Sequence, residues 1–284
     1  MKLEFLGSGG AITTPQPGCK CPICVEARQR GVPYSRTGPS IFVHGPDLLI
    51  DTPEESKFQL NRADLPPVPA CTYSHWHPDH VMGRRVWEAN KDWLNWPPQT
   101  YTTDIYLPQQ VAEDFRVHLG SWEEFEYMAS RNMVRLIVLQ DGGAFALNGV
   151  DILPFRVAED YVYAFLLQDG DTRVLIAPDE LVGWNPPEFV RGVDLAVLPM
   201  GIPEFDPFTG ERLIAEEHPV LQSEATQEQT LEIVKTLDAD RVILTHIEEP
   251  FGFSYDDYER LGATLRQEGY RIEFAYDTLT VEMT

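Results

Sequence analysis

The sequence predicts an α/β fold, in which the 284 residues form one domain with an insertion. Short apolar and β-branched runs bounded by Gly, Pro, Asn or Asp predict strands in two parts of the chain, residues 2–74 and 134–245. Two segments near the C-terminal end, TQEQTLEIVKTLDA and SYDDYERLGATLRQEGY, have the spacing of amphipathic helices. We therefore expect two half-sheets accompanied by helices.

The N-terminal third predicts the first half-sheet. LEFLG predicts a strand, SGGAITTPQPG a loop, and SIFVHGPDLLIDT two short strands joined by a Gly-Pro-Asp turn. A GCKCPIC loop precedes the helical segment VEARQR. ESKFQLNRA has helical spacing and is ended by PPVP, and ACTYS then predicts a strand that stops directly before His75.

Residues 84–133 differ in composition and predict a helical insertion. RRVWEANKDWLNWPP and LPQQVAEDFRVHLGSWEEFEYMASRN combine helical spacing with four of the six tryptophans, which are Trp87, Trp93, Trp96 and Trp122. Aromatic residues at this spacing usually pack into a core. The alternative is a cap whose aromatic side chains stack on a nucleobase.

Strand patterns resume after the insertion and predict the second half-sheet. The runs are VRLIVL, GVDILPFRV, YVYAFLLQ, TRVLIAP and VDLAVLP. Thr226 is the expected N-cap of the helix TQEQTLEIVKTLDA, and the strand RVILT that follows ends directly before His246.

The charge of the chain restricts its partners. Forty-five acidic and 22 basic residues give a net charge of −23, and such a field repels polyphosphate chains. We expect a small anionic substrate drawn to local metal charge, no long nucleic acid and no membrane. The sequence leaves the oligomeric state open, with a homodimer as one option. MKLEFLGSGG lacks a signal-peptide pattern and no run approaches eighteen apolar residues, so we expect a cytoplasmic protein.

Three of the four cysteines lie within six residues, at Cys19, Cys21 and Cys24. This spacing suits a metal better than disulfides, and three thiolates bind zinc strongly when one more ligand is present. The alternative is a set of buried and exposed thiols without a metal. Cys71, alone on a strand, is expected in the core.

The stretch CTYSHWHPDH concentrates histidines at a strand end. In extended backbone His75 and His77 point the same way, whereas Asp79 and His80 follow Pro78 in a turn that can fold back. One segment can thus face two metal positions. Imidazole binds ions such as zinc, and a carboxylate can orient a bridging water. The alternative is a group of surface histidines without a common purpose.

The pattern His-x-His-x-Asp-His resembles the signature of the metallo-β-lactamase fold superfamily. FLGSGG, LLIDTPEE, IAPDE and LTHI resemble further landmarks of that superfamily, in the same order. The resemblance implies a four-layer αβ/βα sandwich of two mixed β-sheets, with two divalent metal ions (Zn, Mn or Fe) in the active site. It assigns His75 and His77 to the first metal, Asp79, His80 and His246 to the second, and Asp179 as the bridge between them.

Asp51 and the loop RVAEDYVY supply further acidic residues with candidate roles at the site. Asp51 ends a strand, where acids often cap a turn, but we favour a hydrogen bond to a ligand histidine. The superfamily normally supplies another first-metal histidine from the loop that reads RVAEDYVY here, which has none. Glu159 or Asp160 is a candidate replacement, and a carboxylate would favour harder ions such as manganese or iron. Equally, the first site could be weak or empty.

The Cys-x-Cys-x-x-Cys loop after the first strand resembles one branch of the superfamily, the cyclic-phosphate phosphodiesterases associated with the carbon-phosphorus lyase pathway. That branch completes a structural zinc with a histidine, and here the same position is a glutamate. The implied zinc ligands are Cys19, Cys21, Cys24 and Glu249. Relatives also place a leaving-group acid within AEEHPVLQSEATQEQ; the register puts Glu224 there, with His218 as an alternative.

These features predict a metal-dependent hydrolase of a small phosphodiester, with a cyclic nucleotide or a cyclic sugar phosphate as candidates. A metal-bound hydroxide oriented by Asp79 would attack phosphorus, and His218 or Glu224 would assist departure. The alternatives are a lactonase-type hydrolase and a non-catalytic metal- or ligand-binding member of the same fold. We expect His44 to be structural. His118 is expected to be structural too, or to line the mouth of the site.

Overall fold

The computed structural model describes residues 1–95, 101–120 and 122–283. These residues contain two seven-stranded sheets. The first sheet consists of β1 (Lys2–Gly7), β2 (Ser40–His44), β3 (Leu48–Ile50), β4 (Ala70–Thr72), β5 (Thr103–Pro108), β6 (Val134–Leu139) and β14 (Thr280–Glu282). The second consists of β7 (Phe145–Leu147), β8 (Val150–Arg156), β9 (Tyr163–Asp169), β10 (Thr172–Ile176), β11 (Leu195–Pro199), β12 (Val242–Thr245) and β13 (Ile272–Phe274).

Helices accompany both sheets. In the described residues they are α1 (Pro22–Arg30), α2 (Ser56–Ala63), α3 (Pro78–Val81), α4 (Val86–Ala89), α5 (Gln109–Val117), α6 (Trp122–Ser130), α7 (Val220–Ser223), α8 (Gln227–Leu237) and α9 (Tyr255–Gln267), with 3₁₀ turns at Glu188–Val190 and Glu249–Phe251. Thr226 is the N-cap of α8, as predicted. The Thr226 side chain and Gln229 form a reciprocal capping box that satisfies otherwise unpaired backbone N–H groups.

The two sheets repeat one topology. The first runs β14-β1-β2-β3-β4-β5-β6, and the second runs β7-β8-β9-β10-β11-β12-β13. In each, the first three neighbouring pairs are antiparallel and the last three are parallel. The parallel strands end at the same edge of their sheet, where loops with functional residues usually lie. This arrangement confirms the predicted sandwich of two mixed sheets.

Buried apolar side chains hold the layers together. One cluster contains residues of both sheets, for example Phe5 of β1 with Phe165 of β9 and Ile176 of β10. A second cluster joins the second sheet to α8 and α9 through residues such as Ile233 and Leu261. Full burial of one such side chain contributes about 1.5–3 kcal/mol, so these layers rest on many small contributions. Cys71 lies in the first cluster, as expected.

The region 84–133 is only partly helical, contrary to the prediction. Strand β5 crosses it and pairs with β4 and β6, so β6 belongs to the first sheet and not to the second. The β5 run is short and lies between helical segments, and its position in the sheet is decided by pairing with its neighbours. Trp87 is fully buried, as in the core interpretation, whereas Trp93 is exposed. Trp96 lies outside the described residues.

Among the described residues, none of the helices is both long and apolar enough to cross a membrane.

Candidate metal centre and active site

The histidine-rich stretch turns sharply after β4. Thr72 is the last residue of the strand, and His75 lies three residues beyond it. Pro78 then opens α3, where its missing N–H costs nothing and its fixed φ suits the first helical turn. The turn places Asp79 and His80 back over the strand end, and His80 donates its backbone N–H to the His77 carbonyl at 3.0 Å. The predicted fold-back of this segment is therefore present.

Six side chains from three parts of the chain meet at this edge. Their possible ligand atoms form two groups, within each of which all atoms lie within 4.8 Å of one another. The first group is His75, His77 and Asp179; the second is Asp79, His80 and His246. The structure thus brings together all the residues that the resemblance assigned to the two metals and to the bridge.

Asp179 lies between the two groups. Its Oδ2 is 3.4 Å from Nε2 of His75 and 3.6 Å from Nε2 of His80, and its Oδ1 is 3.5 Å from Nε2 of His246. A carboxylate whose oxygens face histidines of both groups has the placement of a bridging ligand.

The donor atoms fit divalent metal ions. Nε2 of His75, His80 and His246 is buried and has no hydrogen-bond partner in the described part of the chain. Such unpaired atoms are costly, and the carboxylate oxygens nearest to them stand too far away for good hydrogen bonds. Tetrahedral zinc with bonds of about 2.0–2.1 Å holds its ligand atoms about 3.3–3.4 Å apart. One ion in each of the two groups would together satisfy all three nitrogens.

Asp51 and Ser74 orient two of the histidines from behind. Asp51, almost fully buried, accepts hydrogen bonds from the backbone N–H of Ser74 at 2.8 Å and from its hydroxyl at 2.7 Å. Nδ1 of His80 lies 2.8 Å from the same carboxylate, and Nδ1 of His75 lies 3.0 Å from the Ser74 hydroxyl. With Nδ1 as the donor, Nε2 presents its lone pair to the site. The expected hydrogen bond from Asp51 to a ligand histidine is present.

Asp51→Asn is expected to weaken metal binding at the Asp79, His80 and His246 group by about 10–100-fold, because the amide no longer holds His80 in the required tautomer. Metal titration monitored by calorimetry measures this change. Glu4→Gln is the matched control, since Glu4 pairs with His44 at 2.9 Å outside the site. An unchanged affinity in Asp51→Asn would contradict the orienting role.

The other ligand candidates also follow strand ends. Asp179 comes three residues after β10, and His246 directly follows β12 with a left-handed φ of 55°. Asp51 likewise follows β3 with φ of 63°. Left-handed backbone at non-glycine residues is strained and concentrates at functional sites. Gly10 allows the first loop to contact the site, because a Cβ there would lie 2.5 Å from Nδ1 of His246.

The loop RVAEDYVY runs beside the first group. It is fixed to the histidine segment by a hydrogen bond from the Tyr163 N–H to the Ser74 carbonyl, 3.0 Å long. Glu159 and Asp160 do not join either ligand group among the described residues. The ring of Tyr161 instead lies nearest, with its centroid 5.5 Å from that of His77 and 6.3 Å from that of His75. Glu159 therefore remains a proposed ligand of the first metal.

A small cavity adjoins the second group. It is lined by Asp179, Glu180, Leu181, Pro199, Gly201, Ile202, Glu224, Ala225, His246, Glu248 and Phe251. Burial, together with the nearby charge of Asp179, raises the pKa of Glu224 to about 7. His218 is exposed, and its Nδ1 accepts the Val220 N–H at 3.2 Å. Of the two candidate acids, the structure brings only Glu224 to the site.

The cysteine loop and the strand-end segment form a second, separate cluster. The sulfurs of Cys19, Cys21 and Cys24 lie 3.6, 3.0 and 2.9 Å from the same carboxylate oxygen, Oε1 of Glu249. All four residues form one potential metal-ligand group, and the cysteines are not in disulfides. The backbone N–H of Cys24 points to the sulfur of Cys21 at 3.3 Å. Three sulfurs and one oxygen within 4.8 Å of one another suit a closed zinc site.

His118 lies close to the metal groups. It is exposed and stacks on Trp76 with ring centroids 4.4 Å apart, and Trp76 contacts His77 at 4.8 Å. This placement agrees with the interpretation that His118 lines the mouth of the site.

Three residues near the site were not predicted from the sequence: Tyr161, Glu180 and Glu248. Glu180 and Glu248 are neighbours in sequence of Asp179 and of the His246 segment, but nothing distinguishes them among 45 acidic residues. Only their position beside a predicted ligand could have pointed to them.

The fold and its paired histidine groups define a class of protein, the metallo-β-lactamase fold with a candidate binuclear centre. The family model described as the β-lactamase superfamily domain matches residues 43–247. The chain therefore belongs to this superfamily, most of whose members are metal-dependent hydrolases. A comparison with curated protein sequences found no significant match.

Several solved structures share the fold over the full chain. A diphosphatase of the PhnP family is 23% identical with a TM-score of 0.70, and covers 100% of this chain and 98% of its own. Zn²⁺-bound PqqB from Methylobacterium extorquens is 18% identical with a TM-score of 0.70, and human tRNase Z, short form, is 16% identical with a TM-score of 0.65. Each of the latter two covers 100% of both chains. At these identities the likeness is one of fold.

Proposed function

We propose that this chain is a metal-dependent hydrolase of a small phosphodiester and belongs to the cyclic-phosphate phosphodiesterase branch of its superfamily. The observation that carries the proposal is the position of Asp179 between two histidine groups, with an oxygen within 3.5 Å of a histidine nitrogen on each side. Paired metal sites of this kind serve in-line displacement at phosphorus. The fold likeness to a diphosphatase and to a tRNase Z, whose names refer to bonds at phosphorus, also supports it.

The first ion would be held by His75 and His77 and the second by Asp79, His80 and His246, with Asp179 shared. When bound, the ions supply Lewis acidity that activates water and neutralises charge at phosphorus. Glu159 is a candidate further ligand for the first ion, and its loop would have to move toward His75 to reach it. A carboxylate there would favour manganese or iron over zinc.

Residues of the chain then have separate tasks in hydrolysis. Asp79 accepts a hydrogen bond from the attacking water and so aims its lone pair at phosphorus. The new bond joins the water oxygen to phosphorus, the bond from phosphorus to the leaving oxygen breaks, and the proton that water loses passes to solvent. Glu224 donates a proton to the leaving oxygen, a task for which burial beside the site suits it.

Glu224→Gln is expected to reduce kcat by about 10²-fold for a diester with an alkoxide leaving group, because general acid catalysis contributes about 10²–10⁴-fold. A p-nitrophenolate leaving group departs without protonation, so its rate should change little. Steady-state kinetics on the two substrates measure the contrast. His218→Ala is the control and should match the wild type on both. Equal losses on both substrates would contradict the proton-donor role.

The proposal itself is tested by metal analysis and a substrate panel. Protein purified without a metal-affinity tag and reloaded with zinc or manganese should contain three ions per chain by plasma mass spectrometry, with one in the cysteine cluster. It should hydrolyse bis(p-nitrophenyl) phosphate and cyclic phosphodiesters. Turnover of lactones without phosphodiesters would identify a lactonase-type hydrolase. Metal binding without turnover of either class would identify a binding protein.

A further inference from the structure

The two candidate metal sites share one short segment of the chain, residues 246–249. His246 belongs to the second ligand group, and Glu249 belongs to the cysteine cluster. Only Ile247 and Glu248 lie between them, and both Ile247 and Glu249 are buried. A force on the Glu249 carboxylate is therefore transmitted to His246 through two residues that have little room to relax.

The first loop, residues 8–12, fastens this segment along its length. Ile247 donates its backbone N–H to the Ser8 carbonyl at 3.0 Å, and Glu249 donates its own to the Ile12 carbonyl at 3.0 Å. The Ile12 N–H in turn donates to Oε1 of Glu248 at 3.3 Å. A parallel bridge also joins the two stretches. They are thus paired like neighbouring strands, and a shift of one stretch carries the other with it.

His246 takes its orientation from this packing. A Cβ at Gly10 would lie 2.5 Å from Nδ1 of His246 and 2.9 Å from Cγ of Glu248, so the loop backbone closes directly over both side chains. The His246 backbone has a left-handed φ of 55°, which a non-glycine residue keeps only when its surroundings hold it. Nδ1 of His80 is held by Asp51, whereas Nδ1 of His246 has no hydrogen-bond partner in the described part of the chain. The direction of its Nε2 therefore depends on the segment and on the first loop.

The cysteine cluster fixes the Glu249 end of the segment. The three cysteines of the cluster follow Ile12 along the chain, and their sulfurs surround Oε1 of Glu249. Protonated thiols offer this carboxylate only weak S–H donors, whereas a zinc ion would bond it at about 2.0–2.2 Å. An occupied cluster thus holds Glu249 firmly, and an empty one holds it weakly.

We propose that Glu249 is a positioning residue that couples the two metal sites, so that zinc in the cysteine cluster raises the affinity of the second ligand group for its own ion. The strength expected of such a link is about 10-fold in affinity. The first ligand group contains no residue of the segment 246–249, so the affinity of His75 and His77 for an ion should not follow the cluster. This inference rests on the two metal sites of the proposed function and not on its turnover of phosphodiesters.

Manganese titration of the full chain tests the link without requiring turnover. The change His77→Ala in every sample removes the first ligand group, and one equivalent of zinc fills the cysteine cluster. Carboxylates suit manganese, whereas thiolates select zinc, so free Mn²⁺ counted by electron paramagnetic resonance reports on the second group. We expect Glu249→Ala to weaken manganese binding about 10-fold and Glu249→His, which restores a zinc ligand, to keep the original affinity. Equal affinity in the two variants overturns the inference.

Two controls separate positioning from a general loss of stability. Cys71→Ala removes a buried thiol outside both sites, so it should lower stability and keep the manganese affinity. In a His246→Ala background, where His77 and the first ligand group remain, Glu249→Ala should leave manganese binding unchanged. Weaker binding in either control would show that the effect does not pass through His246, and it would overturn the inference.

The reverse measurement uses the unsubstituted protein and so does not depend on how any variant folds. Coupling between two binding sites is reciprocal, so manganese in the active site should tighten zinc binding in the cluster by the same factor. Competition with a zinc-selective fluorescent chelator, with and without saturating manganese, measures this factor. An unchanged zinc affinity overturns the inference. Failure to hydrolyse any phosphodiester would remove the proposed function and leave this result unaffected.

Discussion

Asp179→Asn is expected to lower phosphodiester hydrolysis by about 10³-fold or more, since paired metals supply several kcal/mol of transition-state stabilisation and each tenfold in rate is about 1.4 kcal/mol. The carboxylate oxygens face histidine nitrogens of both groups, and an amide keeps the shape but loses the charge that holds two cations together. The count of site ions should fall from two to one or none. Plasma mass spectrometry and steady-state kinetics on the reloaded protein measure both effects.

Asp171→Asn provides the matched control, because Asp171 is exposed in the turn between β9 and β10, outside the ligand groups. It should retain both site ions and full activity. If Asp179→Asn kept two ions and the wild-type rate, Asp179 would not bridge the metals. The proposed arrangement of the metal centre would then be wrong.

Cys24→Ser is expected to remove one zinc ion per chain and to lower the melting temperature by an amount on the order of 10 °C. Zinc present at 1,000 times its Kd stabilises the folded state by about 4 kcal/mol, and each kcal/mol shifts Tm by about 2–4 °C in a chain of this size class. Cys24 is buried beside Glu249, so its loss opens the centre of the cluster. Differential scanning calorimetry and metal analysis provide the readouts.

Cys71→Ala separates the loss of zinc from the loss of a buried thiol. Cys71 is fully buried in the first sheet and takes no part in the cysteine cluster, so this variant should be destabilised without losing metal. Glu249→His should retain the zinc, because imidazole is also a zinc ligand. A full complement of zinc in Cys24→Ser would show that the cluster is not a metal site.

Sequence patterns predicted those parts of the site that lie within one short segment of the chain. The two-residue spacing of His75 and His77 and the proline turn after them depend on backbone geometry within six residues, and the structure has that geometry. The same holds for helix α8, whose capping box is encoded by Thr226 and Gln229 alone. The cysteine spacing likewise predicted a cluster, and the three sulfurs converge.

The sheet to which each strand belongs was harder to predict from the sequence. The VRLIVL run that forms β6 was expected in the second half-sheet, but it pairs with β5 of the first. An apolar run can predict a strand, whereas its partner depends on the path of the chain between them. The strand β5 was not predicted, because it lies inside a region dominated by helical spacing. The prediction that residues 84–133 are entirely helical was therefore wrong.

The sequence by itself determined the chemistry that short segments carry: a double histidine motif, a thiolate loop and an acidic surface. Only the tertiary structure decided which distant residues complete them. Glu249 meets Cys19 across 230 positions of sequence, and Glu224 reaches the cavity that His218 does not. Glu180 and Glu248 face the same cavity for the same reason. These distant residues lie close together because parallel strands end at one edge of each sheet and the sheets pack face to face. That is a property of the whole fold, and no short sequence pattern contains it.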